Sequence, residues 1–139
     1  FAPHAFDEAT LDSLLSSEKV MLFVAMLQPE NEVIAYSIVQ KGSLEHDQPR
    51  LQSYGISPDP TDCTLAPSVA DEWQSRGIGT LIHQFVVKEI KNLGFKRIIL
   101  WGGVQASNIP AVRFYQKHQY HLLGEFHYNG LNYDMILEL

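Results

Sequence analysis

The sequence predicts an α/β fold of the α+β kind, organised as a single domain over residues 1–139, and three observations predict it. Short apolar runs rich in β-branched and aromatic residues alternate with amphipathic stretches, in the order helix, three strands, helix, strand, helix, two strands. Turn-forming residues stand between these runs, most clearly at 28–31, 102–103 and 129–130. With 139 residues, 45% of them hydrophobic, the chain is the size of one compact domain able to bury most of its apolar surface. No internal repeat or linker interrupts it.

The elements follow in order. Residues 7–17 carry Ala9, Leu11, Leu14 and Leu15 behind Asp7 and Glu8, the spacing and polarity of a short amphipathic helix. The apolar run 20–27, the turn QPEN and the β-rich run 32–40 predict a hairpin. Residues 41–61 form a long loop with Gly42, Pro49, Gly55, Pro58 and Pro60, and a loop of that length is functional or conceals a strand, here 50–56. A further strand is expected over 63–70 despite Pro67, which a bulge would tolerate.

A long helix is expected over 77–93, with Ile78, Leu81, Ile82, Phe85, Val86, Ile90 and Leu93 on one stripe and Gly94 as a left-handed cap. A buried strand over 97–101 ends in Gly102 and Gly103. A helix over 107–118 follows, capped by Ser107 or Asn108, with Pro110 in its first turn. Two strands, 120–128 and 131–139, join at Asn129-Gly130, a two-residue hairpin signal.

The formal net charge of −6 argues against a nucleic-acid partner, which wants a basic face, and leans toward cationic small partners. Cys63, the single cysteine, has no second thiol for a disulfide or a metal cluster, which fits a reducing compartment. No apolar run approaches the roughly 20 residues of a membrane span, so no membrane association and a cytoplasmic location are expected. The chain starts at Phe1 rather than a methionine, which is consistent with a trimmed leading segment.

The chemistry concentrates where the strand 63–70 leads through a short turn into Gln74-Ser75-Arg76-Gly77-Ile78-Gly79-Thr80 at the start of the long helix. A helix start exposes unpaired N–H groups and the positive end of the macrodipole, and glycines let a ligand approach the backbone; an anionic phosphate fits there. A turn that merely admits a tight change of direction would need the same glycines. The pattern is neither a P-loop nor the three-glycine dinucleotide fingerprint. On the next helix, Asn108, Ala111, Phe114 and Tyr115 recur at spacings of three, three and one.

Together the two patterns resemble the GNAT (Gcn5-related N-acetyltransferase) family, whose motifs are Q/R-x-x-G-x-G/A and, one strand later, N-x-x-A-x-x-Φ-Y. The close resemblance runs from about Thr64 to Tyr120. It implies a mixed, mostly antiparallel sheet whose two central parallel strands, 63–70 and 97–103, splay apart between flanking helices, with the family's usual first strand absent or abbreviated. It implies acetyl-CoA as co-substrate, with the pantetheine arm in the gap and the pyrophosphate on residues 74–80, so Gln74, Ser75, Arg76, Gly77, Ile78, Gly79, Thr80 and Asn108 are expected to contact the cofactor. It further implies direct attack of a primary amine on the thioester, Tyr115 protonating the departing thiolate. An acyl-CoA-binding module without catalysis is the alternative.

For the base, Asp62 lies near where some family members keep a glutamate; Glu45, His46 and Glu72 are further candidates, and ordered water serves in many relatives. Two positions depart from the family. Its main-chain donor to the thioester carbonyl falls at or beside Pro67, which has no N–H, so either a bulge shifts the donor to Ser68 or Val69 or the oxyanion is less well stabilised. Gln119 stands where a glycine is usual, at a cost of about 1 kcal/mol if the cap is left-handed. His83, His118, His121 and His127 are read as solvated, with no metal. The acceptor is an amine on a small molecule, peptide or protein, and the sequence leaves a homodimer open.

Overall fold

A computed structural model describes residues 7–139, so the reading of the start at Phe1 lies outside the described residues. Four helices and a seven-stranded mixed sheet make up the described fold. Helix α1 (Glu8–Leu15) is capped by Asp7, whose carboxylate accepts from the Thr10 N–H at 2.8 Å. Strands β1 (Val20–Leu27) and β2 (Glu32–Lys41) form the expected hairpin. Among the described residues no strand precedes β1.

The connection from β2 to β3 (Asp62–Val69) corrects one expectation. Residues 50–56 do not form a strand; helix α2 (Gln48–Ser53) occupies the region, with Pro49 in its first turn, where a missing N–H is harmless. Its one buried residue, Leu51, packs with Ile99 and Ile136 on one face of the sheet. The main core lies on the other face, where Ile82, Val86 and Ile90 of α3 (Ile78–Asn92) and Val112 and Tyr115 of α4 (Ile109–Lys117) meet Val39, Cys63, Leu65, Ile98, Leu100 and Met135.

The buried stripe of α3 is rotated from the expected one. Leu81, Phe85 and Leu93 are exposed and His83 is buried, because α3 turns that side toward α4 rather than toward solvent. After α3, Gly94 adopts φ 93° as the expected left-handed cap.

Strand order is β1-β2-β3-β4-β7-β5, with β6 (His121–His127) on the other side of β7 (Leu131–Glu138). Among the described residues only β3 and β4 (Arg97–Leu100) pair in parallel. A short strand that periodicity did not reveal, β5 (Val104–Gln105), pairs with Tyr133 and Asn132 of β7. Gly102 and Gly103, at φ 63° and 70°, turn the chain from β4 into β5, and a Cβ on Gly103 would stand 2.6 Å from the Tyr133 carbonyl oxygen. The β6–β7 turn uses Asn129 and Gly130 at positive φ, but His127 already pairs with Leu131, so the connection is three residues long.

Gln119 follows α4 at φ 69°, a left-handed position without glycine. Gln119→Gly should therefore raise stability by about 1 kcal/mol, offset in part by the freer unfolded chain. Urea unfolding of both proteins measures it; an unchanged or lower midpoint would refute the strain.

Candidate functional site

Parity along β3 decides which main-chain groups are free. The Gly42 N–H donates to Asp62 O and the Ala70 N–H to Ile34 O, so the even-numbered residues of β3 bond to β2. The odd-numbered residues face β4: the Trp101 N–H donates to Leu65 O at 2.9 Å, the last rung between the two strands. Beyond it no strand among the described residues lies opposite Pro67 and Val69, and the parallel pair parts.

The β2–β3 register runs without interruption through Ser37 and Pro67, so there is no bulge. Pro67 is tolerated for another reason: its nitrogen faces the gap, where no ladder bond is lost. Ser68, as an even-numbered residue, directs its N–H to β2. Val69 alone of the two presents an N–H to the gap, and its carbonyl oxygen accepts from Gln74 Nε2 at 3.1 Å.

That amide also donates to Asp71 Oδ1 at 3.0 Å, so Gln74 ties the end of β3 to the 3-10 turn Asp71–Trp73. The chain then passes through Ser75 at φ 58° and Gly77 at φ 84° into α3. Only with the Leu81 N–H, donating to Gly77 O at 3.1 Å, does helical bonding begin. The N–H groups of Ser75, Arg76, Gly77, Ile78, Gly79 and Thr80 make no hydrogen bond to any described residue. Six consecutive free donors at the positive end of a 15-residue helix form a nest for an anion. Gly79 lies against the gap strand and α4 at once, since a Cβ there would stand 3.7 Å from Val69 and 3.5 Å from Phe114. The Arg76 guanidinium lies 5.0 Å from the Trp73 ring centre, exposed at the turn's rim.

Helix α4 brings in the second motif. Asn108 caps it, accepting from the Ala111 N–H at 3.3 Å. Tyr115 is 9% exposed and sits edge-on to Phe114 and Tyr120, with ring centres 5.5 and 5.2 Å away. Burial pushes its phenol above the usual range, which keeps the proton on the oxygen, and the hydroxyl makes no hydrogen bond to any described residue.

Asp62 is not brought to this site. It lies at the far end of β3, roughly 23 Å from Val69 at about 3.3 Å per residue. Its carboxylate is fully buried and held by Arg97, at 2.7 Å from Nε and 2.8 Å from Nη2, with the Asp59 N–H as a third donor. These partners hold the carboxylate at the end of β3 opposite the gap. Glu45, His46 and Glu72 lie exposed on 3-10 turns.

The histidines correct a second expectation. His83 is 4% exposed rather than solvated, in ring contact with Phe114, His118 and Tyr120. Two buried arrangements had no sequence signal beyond residue type: this cluster, and Arg50, which joins Asp47 at 2.8 Å and Asp134 across 84 residues beneath the Phe126 ring.

A sequence profile of the Acetyltransferase (GNAT) family matches residues 3–120, and the chain belongs to that family. No functionally curated protein sequence matches it. Among solved structures it is similar to a GCN5-related N-acetyltransferase from Kribbella flavida, at TM-score 0.75 and 17% identity, covering 100% of this chain and 80% of that one. It is also similar to the ribosomal-protein-S18-alanine N-acetyltransferase of Escherichia coli, at 0.67 and 20%, covering 98% and 79%. A third is an aminoglycoside acetyltransferase solved with coenzyme A and kanamycin, at 0.66 and 22%, covering 91% and 70%. These likenesses share the fold, and the splayed mixed sheet expected from the motifs is the one observed. No helix among the described residues is long and apolar enough to cross a membrane.

Two expectations about stability follow. Arg97→Ala leaves Asp62 buried without its counter-ion and should cost about 3–5 kcal/mol in urea unfolding, with the double replacement by leucines recovering much of the loss. Burial, with His118 adding to it, pushes the His83 pKa down from 6.5 to about 4. The unfolded chain then takes up a proton below pH 6.5 that the folded one refuses, so stability falls as pH drops from 6.5 toward 4, by about 3 kcal/mol in total. His83→Leu should flatten that limb; a pH series of melting temperatures with equal slopes for both proteins would contradict it.

Proposed function

We propose that this protein is an acetyltransferase that uses acetyl-CoA and acetylates a primary amine. The observation that carries the reading is the run of six free N–H donors from Ser75 to Thr80, set against the gap strand at Val69. A pyrophosphate needs many donors and a positive field at close range, and the nest supplies both without a side chain in the way. The exposed Arg76 adds a cation at the rim. Gln74 serves chiefly by shaping the turn, and Asn108 by setting the start of α4.

Acetyl-CoA supplies an acetyl group activated as a thioester, which the amine attacks directly. The chain's part is to position that carbonyl, polarise it and return a proton to the sulfur. The Val69 N–H is the main-chain donor on offer in the gap, Ser68 being spent on β2 and Pro67 having none. Tyr115, buried and kept protonated, is the acid for the departing thiolate. Asp62 takes no part, and a water passing the amine proton to bulk solvent serves as base. The acceptor is an amine of a small molecule or of a protein; relatives of both kinds exist in the fold, one acting on ribosomal protein S18 and one on aminoglycosides.

One observation favours a second reading, a binding module that does not turn over. Pro67 removes a gap-facing donor of the kind that contributes about 3 kcal/mol to acyl transfer. Thermal-shift titration with acetyl-CoA and CoA, followed by transfer assays on a panel of amines, separates the two. Saturable stabilisation with turnover supports the enzyme; stabilisation without turnover on any amine supports the module; no stabilisation removes both. For the enzyme, Tyr115→Phe should lower kcat by about 10²- to 10⁴-fold with little change in acetyl-CoA affinity. Pro67→Ala, which restores an N–H to the gap, should raise kcat at least tenfold; an unchanged kcat would mean that Val69 alone completes the donor set.

A further inference from the structure

Away from the gap, the second half of α3 and the end of α4 border an open cavity of about 320 Å³, whose lining includes His83, Lys91, His118, Gln119 and Glu138. Two imidazoles meet in its wall, their ring centres 4.8 Å apart and their planes at 78°. His118 Nδ1 lies 2.8 Å from the Phe114 carbonyl oxygen, which can only accept, so Nδ1 carries the hydrogen and the Nε2 lone pair is left over. That arrangement, one ring nitrogen fixed on a backbone carbonyl and the other released, is the one by which proteins orient a metal-ligating imidazole. His83 is 4% exposed, yet its ring nitrogens make no hydrogen bond to any described residue. Unlike the sealed Ser43 and Tyr120 hydroxyls, these nitrogens open to solvent where His83 lines the cavity.

We propose that His83 and His118 form a two-imidazole site for a borderline divalent transition-metal ion, of the zinc, nickel or copper class, at this cavity. Among the described residues no third histidine, cysteine, aspartate or glutamate joins them in a metal-holding group, so water or a small ligand in the cavity takes the remaining positions. The ion is therefore exchangeable rather than structural. It also has a mechanical link to the anion nest: the Phe114 ring lies 4.3 Å from the His118 ring and also borders Gly79. An ion holding α3 to α4 through the two histidines restrains the helix whose first turn carries the free donors.

The test uses the full chain, freed of metal by chelation, titrated with ZnCl2 or NiCl2 by calorimetry at pH 7.5, with MgCl2 as the hard-ion control. Imidazole nitrogen NMR spectra are recorded alongside. Expected are one saturable site for zinc or nickel and none for magnesium, shifts in the His83 and His118 ring nitrogens, and at least a tenfold loss of affinity in His83→Leu and in His118→Phe. His83→Leu keeps an apolar side chain against Phe114 and Tyr120 and should fold; were it not to, the spectra of the natural chain decide alone. No saturable binding, or binding at unchanged affinity in both variants with shifts confined to other histidines, would overturn the site. Neither readout depends on acetyl transfer, so the proposal stands or falls apart from the enzymatic reading.

Discussion

The rung between the Trp101 N–H and Leu65 O is the last contact of the parallel pair, and the rest of the architecture follows from its being the last. Beyond it, two consecutive left-handed glycines swing the chain away from β3 and lay Val104 and Gln105 along β7 instead. Gly103 has no room for a side chain, because the Tyr133 carbonyl and the Phe126 ring crowd it. The divergence is thus enforced by packing on the β7 side, while β3 is held by an unbroken ladder to β2. Main-chain groups caught between two such anchored strands cannot find each other. They are left for a ligand or water, which is what makes the gap a site rather than a defect.

A sheet that opens at one end must be held shut at the other. Asp62 and Arg97 are register partners at the closed end of the parallel pair, and their side chains repeat the pairing through two charge-assisted hydrogen bonds. A buried ion pair adds little net stability over an apolar one, but it penalises any slip that separates its members. On the same face, Arg50 reaches from α2 to Asp134 of β7 and Tyr54 donates to the same carboxylate at 3.0 Å. These polar clamps fasten the long β2–β3 connection across strands that α3 and α4 do not cover.

Much of this could be read from residue order. The helices α1, α3 and α4, the two hairpins and the strands β3 and β4 were legible because each pairs a hydrophobic period with punctuation such as Asp7, Gly94, Asn108 or Gly130. The turn into α3 was legible because Gly77 needs a positive φ and Gly79 a close approach. Helix α2 was not, since six residues with one buried leucine have no period to display. Nor was β5, two residues long and defined only by a partner some 30 positions away. His83 was misplaced because a histidine beside an apolar stripe reads as polar surface until α4 is seen to lie over it. Asp62 was drawn toward the site by nearness in sequence to the turn, whereas an extended strand carries it away by more than 3 Å at every residue.

Pro67 shows how one residue can be misread and informative together. In a central strand a proline is costly, because it removes a ladder bond, and a bulge is the usual remedy. Here the ladder to β2 has no bulge, and the proline sits at a position whose nitrogen faces away from it. A proline so placed is compatible with a regular strand only if the neighbour on that side has already departed. The residue that takes a donor away from the gap is therefore a sign of the gap itself. Its tolerance in the fold comes from the same fact: the N–H it lacks would have faced the gap, where a ligand or water, and not β4, could have accepted it.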